Sequence, residues 1–110
     1  MTLLVSATPS SPYLSIVVPV FNESESLTPF FERITPILKS TGLDYEIVCV
    51  NDGSRDTTYA QLCELRAEYP NIKVIDLSRN FGKEPALTAG LELCSGDIVI
   101  PMDVDLQDPP

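Results

Sequence analysis

A chain of 110 residues, 44% of them apolar and 21% charged, is the size of one domain and too apolar for disorder. Seven Lys and Arg against sixteen Asp and Glu give a net charge of −9, which repels a phosphate backbone and disfavours nucleic acid as a partner. With no His, imidazole bases, Ser-His and Cys-His nucleophiles and His-ligated zinc are all excluded, so any chemistry rests on carboxylates.

In chain order, residues 1–13 are rich in Ser, Thr and Pro and carry no Lys or Arg, which predicts a flexible leader rather than a signal peptide. Four runs rich in Val and Ile follow: Leu14 to Phe21, Tyr45 to Val50, Ile72 to Leu77 and Ile98 to Met102. Their near-continuous hydrophobicity predicts strands buried on both faces, as in a parallel sheet. Helical patterns lie between them. Leu27, Phe30, Phe31, Ile34, Ile37 and Leu38 recur at helical steps behind Ser24 or Ser26 as N-cap, and Pro36 predicts a kink or an early end. A second helix is predicted from about Thr57 to Tyr69, capped by Asp56 and closed by Pro70, and a third opens at Pro85 and ends near Gly96. Strands about 25 to 31 residues apart fit repeated βαβ units whose right-handed crossovers put helices on both faces. Cys49, Cys63 and Cys94 are odd in number and widely spaced, which predicts three buried thiols rather than a disulfide framework or a metal knuckle. No apolar run nears the roughly 20 residues that span a bilayer, so the chain is expected to be soluble.

Ligands of such sheets bind beyond the carboxyl ends of the strands, which makes the exit segments the candidate site. Pro19 to Glu23 leave the first strand, Asn51 to Ser54 the second, Ser78 to Lys83 the third and Asp103 to Asp108 the fourth. No G-x-G-x-x-G and no P-loop occurs, which disfavours dinucleotide dehydrogenases and P-loop kinases. An acidic edge holds a diphosphate when Mg²⁺ or Mn²⁺ sits between carboxylates and phosphate oxygens, and Asp103 and Asp105, two apart at a strand exit, point the same way while Val104 faces the core. Alone they serve equally as turn residues; crowded with Gln107 and Asp108 they form a like-charge cluster that a cation relieves. Asp52 either accepts hydrogen bonds from a nucleobase or ribose or makes a tight turn with Gly53. Asn22 and Glu23 are ligand contacts or helix caps, and Arg79 and Lys83 are phosphate partners or solvated charges. The chain stops just after its densest acidic cluster, which predicts part of a larger enzyme domain.

Val17-Val18-Pro19-Val20-Phe21-Asn22-Glu23, Val50-Asn51-Asp52-Gly53-Ser54-Arg55-Asp56 and Met102-Asp103-Val104-Asp105-Leu106-Gln107-Asp108-Pro109-Pro110 together resemble the inverting nucleotide-sugar glycosyltransferases of family 2, which have the A-type, Rossmann-like α/β fold. Within it, Leu77-Ser78-Arg79-Asn80-Phe81-Gly82-Lys83-Glu84 and the Leu106 to Pro110 ending are most similar to the polyprenyl-phosphate branch, which includes dolichol-phosphate mannose synthase and bacterial undecaprenyl-phosphate glucosyltransferases. Val104 stands where that branch commonly has Ala.

The resemblance implies that residues 14–110 are the N-terminal, nucleotide-sugar-binding half of a catalytic domain. Pro19, Phe21, Asn22 and Glu23 would line the nucleotide pocket, with Asp52 on the base and Arg79 and Lys83 on the phosphates. Asp103 and Asp105, the catalytic pair, would hold Mg²⁺ or Mn²⁺ together with Gln107. The implied reaction moves a hexose, from UDP-glucose by preference or from GDP-mannose, to a polyprenyl phosphate with inversion, at the cytoplasmic face of a membrane. The chain alone is expected to be inactive and prone to self-association. Two alternatives are a non-catalytic sugar-nucleotide-binding or interaction module and a receiver-type Mg²⁺-binding signalling domain; the second expects its acid pair after the first strand, whereas here acids follow the second and fourth.

Overall fold

A computed structural model describes residues 13–105. The predicted leader up to Pro12, and Gln107 with the rest of the acidic ending, lie outside the described residues. The elements are β1 (Tyr13–Val20), α1 (Ser24–Ser40), β2 (Asp44–Asn51), α2 (Thr58–Glu68), β3 (Ile72–Asp76), α3 (Lys83–Leu93) and β4 (Ile98–Pro101). Tyr13, expected in the leader, is the first residue of β1, and Phe21 falls just outside the strand.

The strands form one sheet in the order β3-β2-β1-β4, and every neighbouring pair is parallel. Alternation along the strands sorts the side chains. Leu14, Ile16, Val18, Ile47 and Cys49 pack with Leu27, Phe30, Phe31, Ile34 and Leu38 of α1 and Leu62 and Leu65 of α2. Val17, Val48 and Val50 pack on the other face, against Ala86 of α3. Helices therefore cover both faces, as right-handed crossovers require. Phe30 and Phe31 meet edge to face at 5.3 Å, and Phe31 stacks on Tyr69 at 5.3 Å. Phe30 and Phe31 are fully buried, and each contributes about 1.5–3 kcal/mol.

Burial on both faces holds for the central strands β1 and β2. It fails for β4, an edge strand whose Ile98 and Ile100 remain 43% and 37% exposed. Ile37, expected in the core, also points to solvent. Pro36 does not end α1, which runs on to Ser40. That proline lies on the exposed side of the helix, and buried Ile34 and Leu38 hold the flanking turns. Neither Ser24 nor Ser26 caps α1: Glu23 occupies the cap position without a side-chain bond, and Ser26 N donates to Glu23 O at 2.9 Å. The cap position of α2 is Thr57, without a side-chain cap bond; Asp56, expected as the cap, lies one residue earlier and accepts from Thr58 N at 2.9 Å. α3 begins at Lys83 rather than Pro85, whose missing N–H is harmless in a first turn. Of the three thiols only Cys49 is buried, its pKa pushed up to about 12 by burial; Cys63 is exposed and Cys94 half-buried.

At the amino ends of the strands a buried carboxylate ties the α3 face together. Glu46 Oε2 accepts from Ser15 Oγ at 2.6 Å and from Ser95 N at 2.6 Å, and Gly96 N donates to Ser15 Oγ at 2.7 Å. Lys73 Nζ lies 3.4 Å from Glu46 Oε1. The network fixes the turn that feeds β4, and so fixes where β4 delivers its exit residues.

Candidate functional site

The chain moves outward from β1 to β2 and β3, then returns through α3 to place β4 on the other side of β1. Strand order thus reverses between β1 and β4, and the exit loops part there to leave a crevice. A cleft of about 420 Å³ lies at that point. Pro19, Phe21 and Glu23 line it from β1, Asp52 from β2, Asn80, Gly82 and Lys83 from the β3 side, and Asp103 and Asp105 from β4. Val104, between the two aspartates, is buried in the core as expected.

The charges in the cleft oppose one another across a short gap. Lys83 Nζ pairs with Asp103 Oδ1 at 2.8 Å. Burial, then the neighbouring charges of Asp105, Asp103 and Asp56, hold the Glu23 carboxyl above the usual carboxylate range. Glu23 and the two aspartates therefore face a common space. Among the described residues no three His, Cys, Asp or Glu side chains form a closed metal-holding group. The donor set instead fits Mg²⁺ or Mn²⁺ bound by two carboxylates and completed by water and phosphate oxygens.

The β2 exit loop ties its neighbours together. Asp52, 3% exposed, accepts from Phe81 N at 2.8 Å through Oδ1 and from Gly82 N at 3.0 Å and Asn80 Nδ2 at 3.1 Å through Oδ2. Gly53 adopts a φ of 72°, and a Cβ there would fall 2.3 Å from Asn80 N, so the two backbones touch. Toward the β1 exit, Asn22 N donates to Ser54 Oγ at 2.9 Å and Arg55 N to Asn22 Oδ1 at 2.8 Å, with Asn22 itself at a φ of 52°. Glu23 N donates to Thr58 Oγ1 at 3.1 Å. Hydrogen bonds, first from the Thr58 hydroxyl and also from Ser24, hold the Asp56 carboxyl below the usual range, so Asp56 serves the starts of α2 and α1 together.

The structure therefore brings Pro19, Phe21, Glu23, Asp52, Lys83, Asp103 and Asp105 to one cleft. Asn22 and Arg79 line an adjoining hollow of about 620 Å³, which shares Phe21 and Asn80 with the cleft. Arg79 packs its guanidinium 4.4 Å above the Phe81 ring. Asn80 and Gly82 are cleft residues not singled out from sequence. The signal was the N-x-G step just before a helix, which a search for charge passes over.

Residues 15–110 match the family described as Glycosyl transferase family 2. The bactoprenol glucosyl transferase of Shigella phage SfV is 48% identical over 96 residues, which cover 87% of this chain and 31% of that protein. The undecaprenyl-phosphate 4-deoxy-4-formamido-L-arabinose transferase of Pseudomonas fluorescens is 48% identical over 99 residues, covering 88% and 29%. The mannosyltransferase PcManGT from Pyrobaculum calidifontis, solved in complex with GDP-Man and Mn²⁺, superposes with a TM-score of 0.73 at 25% identity, over 92% of this chain and 30% of that one. The chain thus spans less than a third of the length of these relatives. Its parallel sheet, the cleft at the strand-order reversal and the match over residues 15–110 agree, and the chain belongs to glycosyl transferase family 2.

Proposed function

We propose that residues 14–110 form the donor-nucleotide half of a polyprenyl-phosphate hexosyltransferase. The observation that carries this reading is the pairing of Asp103 and Asp105 at the strand-order reversal, across the cleft from Glu23 and beside Lys83. The relatives that act on bactoprenol and undecaprenyl phosphate supply the substrate class. UDP-glucose is the favoured donor because one relative is a glucosyl transferase, with GDP-mannose as the alternative.

Asp103 and Asp105, with Gln107 as a further donor, would hold Mg²⁺ or Mn²⁺; when bound, the cation supplies Lewis-acid neutralisation of the leaving diphosphate. Lys83 adds an ammonium on the same side. Pro19 and Phe21 offer the base an apolar wall, and Asn22 and Arg79 extend it into the adjoining hollow. The absence of His is no obstacle, because a phosphate acceptor is already anionic near neutral pH and needs little help from a base.

Among the described residues no helix is long and apolar enough to cross a membrane. A polyprenyl-phosphate acceptor would put the whole protein at the cytoplasmic face of a membrane, and the rest of the catalytic domain would build the acceptor side. Ile98 and Ile100, exposed on the edge strand β4, support either coverage by that remainder or self-association of the chain alone.

Nucleotide binding followed by thermal shift tests the reading. A ligand at about one hundred times its Kd stabilises by roughly 2.7 kcal/mol, an upward shift on the order of 10 °C at this size. UDP or GDP should give that shift with Mn²⁺ or Mg²⁺ and lose it in chelator. Asp103→Asn with Asp105→Asn should abolish the cation-dependent part. Sugar transfer should appear only in a protein of the relatives' full length. Equal binding in chelator, or a double variant that keeps the cation-dependent shift, would overturn the proposal.

A further inference from the structure

We propose that Glu46 is a positioning residue for the cation site: from the opposite end of the sheet it locks β4 in the one register that brings Asp103 and Asp105 to the cleft. The inference rests on the cation and nucleotide reading of that cleft and names a residue outside it on which the site depends.

β4 is four residues long and, among the described strands, pairs with β1 alone, from Leu14↔Ile98 to Val17↔Pro101. A slip of one residue turns every side chain of a strand to the other face, and burial of one face is what normally forbids it. In β4 that safeguard is weak. Ile98 and Ile100 stand on one face, Val99 and Pro101 on the other; all four are apolar and none is buried. A slip would nevertheless be ruinous at the cleft, since it carries Val104 to the place of an aspartate and parts Asp103 from Lys83.

The register is fixed where the strand begins, and by polar groups. Gly96 N donates to Ser15 Oγ at 2.7 Å, Ser95 N to Glu46 Oε2 at 2.6 Å and Asp97 N to Tyr13 O at 2.8 Å. Ser15 Oγ in turn donates to Glu46 Oε2 at 2.6 Å. Tyr13 and Ser15 belong to β1, the neighbour of β4, whereas Glu46 belongs to β2, in register with Ser15, and reaches Ser95 past β1. Glu46 therefore ties β4 to the centre of the sheet as well as to its neighbour. The fit admits one residue. A Cβ at Gly96 would fall 2.5 Å from Ser15 Oγ and 2.7 Å from both Ser15 N and Tyr13 O, and a slip would bring Ser95 or Asp97, each with a Cβ, to that place. Glu46 is itself 5% exposed, and Lys73 Nζ, 3.4 Å from its Oε1 and 3.0 Å from Leu93 O, ties it to the end of α3. Asp103 follows Gly96 by seven residues, roughly 20 Å of extended chain. Buried Val104 marks the far end of the same register.

The test measures UDP affinity with saturating Mn²⁺ by calorimetry on the full chain, at a temperature where circular dichroism shows each variant folded. Hydrogen exchange is followed at two amides: Met102 N, which joins the end of β4 to Val17 O at 3.0 Å, and Asp52 N, which joins β2 to Val20 O at 2.8 Å. Glu46→Ala should weaken UDP about tenfold or more, the scale on which misplaced ligands lose a metal, and should speed exchange at Met102 more than at Asp52. Glu46→Gln keeps an oxygen for Ser15 and Ser95 and should restore most of the affinity. Gly42→Ala, destabilised at the same end of the sheet with no contact to β4, should melt lower, keep its affinity and speed both amides alike. Wild-type affinity in folded Glu46→Ala, or an equal affinity loss in Gly42→Ala, would overturn the proposal. If Glu46→Ala does not fold, Ser15→Ala decides, because it removes the acceptor of Gly96 N and one donor to Glu46: weaker UDP with selective loss at Met102 supports the lock, and neither change refutes it. Should the wild-type chain bind no UDP with any cation, the nucleotide reading fails by itself. Selective exchange at Met102 in the Glu46 and Ser15 variants then still decides whether the lock exists, and its absence refutes it.

Discussion

Replacing Gly53 by Ala asks whether the cleft depends on contact between two loops, and Gly42 supplies the control. Both glycines have a φ of 72°. An Ala at either therefore carries the same left-handed strain, about 1–2 kcal/mol. At Gly42 an added Cβ meets nothing within 4 Å, whereas at Gly53 it falls 2.3 Å from Asn80 N, 2.4 Å from Arg79 C and 2.9 Å from Arg79 Cα. These are main-chain atoms, so no rotamer change relieves the overlap, and the loops must part by roughly 1 Å to restore an ordinary contact. Overpacking of that kind adds about 1–3 kcal/mol. Each kcal/mol lowers the midpoint of a domain this size by about 4–8 °C. Thermal and urea unfolding, with Mn²⁺-dependent UDP binding measured alongside, separate the two terms. Gly42→Ala should melt some 5–15 °C lower with binding unchanged, because Gly42 follows α1 at the end of the sheet away from the cleft. Gly53→Ala should lose clearly more stability and should also bind UDP more weakly at temperatures where it is folded. Equal melting losses with binding intact would refute the loop contact.

Two further expectations concern buried or crowded carboxylates. Burial pushes the Glu46 carboxyl up, but hydrogen bonds from Ser15 and the Ser95 N–H, with the Lys73 ammonium, hold it below its ordinary 4.5. A depressed carboxyl stabilises above its unfolded value and loses that contribution as pH falls through its folded one, so urea melts should show a steeper acid loss for wild type than for Glu46→Gln; parallel profiles would count against the network. Glu23 is the opposite case, raised by burial first and then by Asp105, Asp103 and Asp56. Its ionisation opposes folding, so in chelator Glu23→Gln should be the more stable protein at pH 7. That advantage should fade as pH falls through the raised folded value toward the ordinary 4.5 and be gone below it, and a less stable Glu23→Gln at pH 7 would contradict the reading.

The sheet was legible in the sequence because continuous Val and Ile runs separated by helical patterns have few other solutions. Where the reading strayed, tertiary context decided. Pro36 lies on the solvent side of α1, where a missing N–H costs little against the buried flank of Ile34 and Leu38. β4 shares the composition of the central strands yet lies at an edge, a property of strand order rather than of its own residues.

At the site, the limit of legibility is chemical. Asn, Asp, Ser and Gly are favoured at tight exits because their side chains hydrogen-bond nearby backbone or tolerate left-handed φ. They are favoured at ligand sites for the same donors and acceptors. Asn22, Asp52 and Asp56 look in sequence like Asp103 and Asp105, but the first three spend their oxygens on Arg55 N, on Phe81 N and Gly82 N, and on Thr58 N. The distinction follows from which strands are neighbours. β2 lies between β1 and β3, so its exit loop has a partner on each side to bind, whereas β4 lies across the crevice from the loops that β2 joins. Acidic residues on the β2 loop are therefore drawn into holding its neighbours in place, whereas Asp103 meets Lys83 across the crevice and Asp105 lines the cleft with it.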